Sequence, residues 1–409
     1  MESTRHSAKE KSKFTSQKTQ VITWTLLFLM PIVGMAVDLV APSLPSIARD
    51  LNVEDSLTKN MISLYILGYA LGGFFSGFLS DAWGRQRLLR GNLAAFVLAS
   101  LLPTLFPNIS VLLCVRFLQG ITIGASAVLA RTILADILTT EKLEKIGASL
   151  GVMWGIGPVL GPIIGSYLQV YIGWKACFYF FAITAFIELV LVWIIVPETH
   201  LKHHPLAIKV IGNNIREILN SKLFVGIILL MGLMYTLVAS FHTLCPFLIQ
   251  NTLHHSTLFF GRVALVLGVI YLLASFACRY AIQKYRVEKI FFVVLNLFFV
   301  IAIGNLVLSY IFPTSVLLII FSSACMFFLC AFIYPLAMGK GMSLFRHVAG
   351  AASALMFSNV ILSSAISFCL SFVELDTIIP VLWVYFFLLA SAAFIYWTLI
   401  REKKADEYS

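Results

Sequence analysis

Asp38 is the only acid in the first long apolar stretch, Val21–Leu44, and Arg116 is the only cation buried deep inside another. A carboxylate in apolar surroundings takes or gives up a proton according to its neighbours. Burial favours the neutral form, and a nearby cation favours the charged one. At 1.5 Å per residue, Asp38 lies about 13 Å from the end of its stretch at Ile47, and Arg116 lies about 10 Å from the end of its own at Ile109. The two therefore stand at similar depth, where an acid that exchanges protons beside a fixed cation is the expected chemistry. A structural acid that pairs with Arg116 or caps a broken helix end is the other reading.

Two glycine-rich runs accompany this pair. In Gly77-Phe78-Leu79-Ser80-Asp81-Ala82-Trp83-Gly84-Arg85-Gln86-Arg87, an acid and two arginines sit between apolar stretches, with Gly77 and Gly84 available for close approach and tight turning. Asp81 at a helix end can accept hydrogen bonds from a neighbouring helix N-terminus. In Gly157-Pro158-Val159-Leu160-Gly161-Pro162-Ile163-Ile164-Gly165, the glycines recur every four residues and share one face. Pro158 and Pro162 remove backbone donors from the same segment. Gln119, Tyr235 and His242 are the candidate cavity-lining residues, and His242 belongs to the side-chain type that titrates near neutrality. Glu188 lies inside an apolar stretch and reads better as a packed acid than as a transport group. The run His200-x-x-His203-His204 reads as a solvated loop rather than a metal site.

The elements that must position these residues are membrane helices. The chain has 409 residues, 60% apolar and 12% charged, against about 25% charged in soluble domains. Apolar runs of about 20 residues recur, each able to cross a hydrocarbon core of about 30 Å, where backbone polar groups force helices. Crossings are expected at 21–47, 58–80, 91–106, 109–131, 145–169, 175–196, 223–249, 258–283, 289–312, 314–338, 347–372 and 378–400. The polar stretch 197–222 separates two six-helix halves, 1–196 and 223–409. With twelve crossings, 24 of the 29 Lys and Arg fall on the side of the two tails and four on the other. That bias makes the tails cytoplasmic. It also assigns the net charge of +10 to membrane orientation rather than to nucleic acid. The first stretch is longer than a cleavable signal and reads as retained. The seven cysteines lie in or beside apolar runs and read as packing residues. No G-x-x-x-x-G-K-[ST] phosphate loop is present, which argues against an ATP-driven pump.

Five segments carry a resemblance. The Gly77–Arg87 run resembles the loop between helices 2 and 3 of major facilitator superfamily transporters. Arg116-Phe117-Leu118-Gln119-Gly120 resembles the family's R-x-x-Q-G run. The Gly157–Gly165 segment resembles the signature of its antiporters. Asp38–Pro45 and Ala130–Asp136 resemble runs of the Bcr/CflA-type drug exporters. The resemblance implies an all-α fold of twelve transmembrane helices in two pseudo-symmetric six-helix bundles. It also implies a gating latch at Asp81 and Arg85, near the start of the eleventh helix around His347–Ala352, and proton coupling through Asp38 and Arg116. It departs at Met30, where polyspecific cation exporters carry a second acid.

The expected protein is thus not an enzyme. It is a monomeric, proton-coupled efflux antiporter of a bacterial inner membrane, moving small amphipathic molecules or drugs with no cofactor beyond the proton gradient. A transporter of a specific metabolite or siderophore, working as an importer, is the first alternative. A receptor or scaffold on the same fold is the second.

Overall fold

The computed structural model describes residues 16–199, 208–345 and 349–401. Every regular element among them is helical. Backbone contacts divide the chain into two compact units, Met1–Ala207 and Ile208–Ser409. The first unit holds α1 (Ser16–Met35), a 3-10 turn Ala41–Ser43, α2 (Leu44–Leu51), α3 (Asp55–Trp83), α4 (Arg85–Leu105), α5 (Ile109–Ile137), α6 (Thr140–Tyr171) and α7 (Lys175–Ile195). The second holds α8 (Ile208–Leu219), α9 (Lys222–Phe247), α10 (Thr257–Lys284), α11 (Val287–Ile311), α12 (Val316–Leu344), α13 (Ala349–Phe357), α14 (Asn359–Leu370) and α15 (Ile379–Ile395). Among the described residues, ten helical spans are long and apolar enough to cross a membrane. Outside those ten, α3 and α6 run for 29 and 32 residues.

Three expected elements differ from the sequence reading, each for a local reason. The first crossing is not one helix over 21–47. It stops at Met35, passes through non-helical turns and resumes at Leu44. Pro42 and Pro45 withhold the N–H groups that a continuous ladder needs. The eleventh crossing is divided between α13 and α14. There the Ser358 hydroxyl donates to the Leu355 carbonyl at 2.6 Å, and the Asn359 amide donates to the Met356 carbonyl. These side chains compete with the backbone ladder at the joint. The stretch 197–222 is not all loop, because α8 forms within it. Ile208, Ile211, Ile215 and Ile218 recur at helical spacing, and Ile218 is buried. The polar and charged composition of the stretch hid this short amphipathic element at sequence level.

Glycine contacts set the packing of the first unit. A Cβ at Gly68 or Gly72 of α3 would overlap the backbone of Phe117 or Ile121, and one at Gly120 or Gly124 of α5 would overlap Tyr65 or Tyr69. Reciprocal glycines at four-residue spacing let α3 and α5 touch backbone to backbone, and so fix Arg116 against Tyr65.

Candidate functional site

The first unit assembles its charged site where α1 breaks. Asp38 lies in the turn between Met35 and Ala41 and is 4% exposed. The glycine face of α6 presses on this turn. A Cβ at Gly157 would overlap Gly34 and Met35, and one at Gly165 would overlap the Leu39 carbonyl oxygen. At Gly161 the fit is looser, with a Cβ standing 3.1 Å from that of Asp38 and 3.2 Å from that of Met35. Pro158 and Pro162 lie inside α6 without ending it. From α7, the Cys177 thiol donates to the Leu39 carbonyl at 3.6 Å and lies 3.6 Å from the Ser43 hydroxyl. The carbonyl freed by the break thereby gains a partner.

Arg116 of α5 is fully buried and lies within electrostatic reach of Asp38. Its guanidinium carbon stands 4.2 Å from the ring centroid of Tyr65, a stacked cation–π arrangement that stabilises a desolvated arginine. Nε donates to the Met61 carbonyl at 3.4 Å, and Nη1 donates to the Gln119 side-chain oxygen at 3.1 Å. The Gln119 amide in turn donates to the Ser100 hydroxyl of α4 at 2.8 Å. Gln119 therefore holds Arg116 in place with both ends of its amide. Arg116 Nη2 and the Tyr65 hydroxyl are buried without a hydrogen-bond partner among the described residues. The arrangement presents a carboxylate at a helix break, within electrostatic reach of a buried cation with one donor edge to spare.

Arg85 belongs to a different cluster of the same unit. It pairs with Asp136 at the end of α5 and donates to the Thr132 carbonyl at 3.3 Å. The Thr199 hydroxyl donates to the same Asp136 carboxylate at 2.8 Å. Glu198 accepts from the backbone N–H groups of Arg85 and Gln86 at 3.0 and 3.1 Å. It thereby caps the N-terminus of α4, where the helix dipole favours an anion. Gly84 takes φ +89° at this turn, and a Cβ there would press on Glu198. Gly77 and Asp81 lie in the last turns of α3. The Asp81 side chain, and residues 346–348 of its expected contact region, lie outside the described residues. Glu198→Ala should lower stability by about 1 kcal/mol, the usual loss of a helix cap, seen as a lower thermal midpoint of the purified protein.

In the second unit, His242 of α9 is 2% exposed. It meets the rings of Phe241 and Phe327 edge-on, with centroids 5.3 and 6.1 Å away. Tyr235 on the same helix is half-buried. Sequence reasoning missed Tyr65, Ser100 and Glu198. Tyr65 was discoverable from the Gly68/Gly72 spacing beside it, whereas Glu198 acts on a helix that begins 113 residues earlier. Among the described residues no His, Cys, Asp and Glu cluster could hold a metal ion, and His200, His203 and His204 lie outside them.

A family model described as Major Facilitator Superfamily matches residues 26–368. An uncharacterized transporter of Rickettsia bellii is 25% identical over 68% of this chain and 69% of its own length. A bicyclomycin resistance protein homolog of Haemophilus influenzae is 27% identical over 47% of this chain and 49% of its own. Multidrug resistance protein D of Escherichia coli is 28% identical over 38% of this chain and 39% of its own. The chain thus spans about half or less of the length of the two resistance proteins. A crystal structure of a D-xylose-proton symporter superposes with a TM-score of 0.72 and 17% identity, over 94% of this chain and 98% of that one.

Proposed function

We propose a function from one premise: the chain belongs to the Major Facilitator Superfamily. It is a multi-pass membrane transporter rather than an enzyme. Our reading is a proton-coupled efflux antiporter for small amphipathic molecules, with α3 and α6 added to the ten candidate spans to give twelve crossings in two bundles. Both tails face the cytoplasm of a bacterial cell, the charge bias giving the orientation. It works as a monomer, without a cofactor, on the proton gradient. The names of the relatives from Haemophilus influenzae and Escherichia coli support export of toxic compounds.

The observation that carries this reading is the position of Asp38. It is a buried acid at a break in a membrane helix, within electrostatic reach of a fully buried arginine. Such breaks are where transporters of this architecture bind ions and substrates. Substrate and proton compete for the carboxylate. Substrate binds there until a proton from the far side displaces it. Rocking of the two halves then exposes the site alternately.

The test is exchange in inverted membrane vesicles energised to an acidic interior, with bicyclomycin as the first substrate. Addition of drug should dissipate the proton gradient with wild-type protein and not with vesicles lacking it. Drug accumulation that ignores the gradient would overturn the antiport reading. A second reading, import of a metabolite with an acceptor oxygen, is favoured by the free donor edge at Arg116 Nη2. A growth defect of the deletion strain confined to iron-starved medium, with unchanged drug sensitivity, would select it.

A further inference from the structure

α7 carries an acid that this cycle does not use. Phe181, Ala185, Glu188 and Val192 form one buried stripe, opposite the exposed face of Ile183, Phe186, Ile187 and Ile194. Glu188 is 2% exposed. Its Oε1 has no hydrogen-bond partner, and no ion pair reaches it among the described residues.

α4 packs on this stripe in the antiparallel sense. Near one end, Arg90 donates to the Trp193 carbonyl at 2.8 Å and stacks on that ring at 4.7 Å. Further along, Phe96 meets Phe181 edge-on with centroids 5.9 Å apart. Asn92 lies between Arg90 and Phe96, one turn from Phe96 on its face, and Glu188 lies between Trp193 and Phe181. The two therefore share a register in one interface. The Asn92 amide nitrogen is also buried without a partner. An orphan donor thus stands at the level of an orphan carboxyl oxygen, where buried polar atoms are almost always paired. This place is separate from the Asp38 site. Ser100, the nearest member of the Arg116 network on α4, is eight residues from Asn92, about 12 Å along the helix.

The charged groups on the packed elements leave one possible competitor. On α4, Arg85 is held by Asp136, Arg87 is exposed, and Arg90 is engaged with Trp193. α1 carries only Lys18, in its first turn. α6 carries Glu141, Lys142, Glu144 and Lys145 in its first two turns, and Tyr167 and Tyr171 near its far end. On α7 itself, Lys175, Cys177 and Tyr179 lie near the opposite end. Arg90, with its Nε unpartnered, is the one cation near Glu188 in register among the described residues. A lone carboxylate inside a bilayer is strongly disfavoured, whereas a neutral carboxyl facing an amide is not.

We infer that Glu188 is a second proton-binding site of the first unit, holding its proton opposite Asn92, and that loss of this proton sets the alkaline limit of transport. The limit rests on the transport reading above; the proton binding does not. The probe is dicyclohexylcarbodiimide, a lipid-soluble reagent. A protonated carboxyl adds across its C=N bond and rearranges to a stable N-acylurea, with no atom lost. The full-length protein in lipid vesicles is treated across a pH series and mapped by peptide mass. Glu188 is expected to be labelled at neutral pH, with labelling falling about tenfold per pH unit above its midpoint. Glu188→Gln should abolish the label, and Asp38→Asn should leave it intact. Infrared spectra, which need no reagent access, should show a protonated-carboxyl C=O band that Glu188→Gln removes. Transport by Glu188→Gln should extend to higher pH than wild type. No label and no such band would overturn the site, as would label that appears only in Arg90→Gln, which would make Glu188 the charged partner of Arg90. Label with an unchanged alkaline limb would overturn its role in transport. Loss of all proton exchange with the label intact would instead sink the antiport reading.

Discussion

Asp38→Asn is expected to yield a folded, membrane-inserted protein that no longer exchanges substrate for protons. Asparagine keeps the size of the side chain and a carbonyl oxygen at the same place, so the turn between Met35 and Ala41 and its contact with Gly161 persist. What it removes is the group that takes up and releases a proton in the proposed cycle. Drug-dependent proton release, followed with a pH indicator on purified protein, should fall to the level of protein-free controls, while binding of a neutral ligand survives. Arg116→Ala should abolish exchange as well, but for a different reason. It removes the positive charge within reach of Asp38 and empties the space above the Tyr65 ring, so a loss of thermal stability should accompany it. Arg116→Lys restores the charge without the planar fork that reaches both Met61 and Gln119, and should recover stability better than exchange. Continued proton release by Asp38→Asn on drug addition would remove Asp38 from the mechanism. His242 would then be the acid–base group to test first.

The parts of the molecule that were legible in the sequence are those that depend on one segment at a time. Hydropathy located the long helices because each must satisfy its own backbone in lipid. The crossing at 21–47 reads as one helix from its apolar residues, which continue on both sides of the proline pair that breaks it. The depth estimate for Asp38 assumed a continuous helix from Asp38 to Ile47, and the break between Met35 and Leu44 removes that assumption. What surrounds Asp38 and Arg116 was not legible either. Tyr65 beneath the guanidinium, Ser100 behind Gln119 and Cys177 on the Leu39 carbonyl come from three other helices, and no local pattern announces which faces will meet. Glu198 shows the same limit more sharply. It follows the last helix of its unit and caps a helix that begins at Arg85, so its role exists only once α4 and α7 have packed. That Asn92 and Glu188 stand at one level likewise follows only from the register of those two helices.

Gly161→Ala and Gly165→Ala should separate function from stability on one helix face. The added methyl at Gly165 would overlap the Leu39 carbonyl oxygen, part of the backbone, so α6 and the broken helix must move apart. Overpacking of that kind destabilises by about 1–3 kcal/mol, and the expected result is a clearly lower thermal midpoint with activity lost in proportion to folded protein. At Gly161 the nearest atom is the Asp38 Cβ at 3.1 Å, then the Met35 Cβ at 3.2 Å. A few tenths of an ångström relieve that contact, and Asp38 stands in a turn, free of a continuous helical ladder, so it is the side that gives way. Gly161→Ala should therefore melt near the wild-type temperature yet exchange protons for drug more slowly. The expected loss is roughly tenfold, scaled down from the ~100-fold that a 1 Å misplacement causes in a preorganised site. The pair is measured by thermal melts and proton-release rates on the same preparations. If the alanine at 161 melts low while exchanging at the wild-type rate per folded molecule, the glycine face of α6 serves only packing, and the link from its spacing to the position of Asp38 is lost.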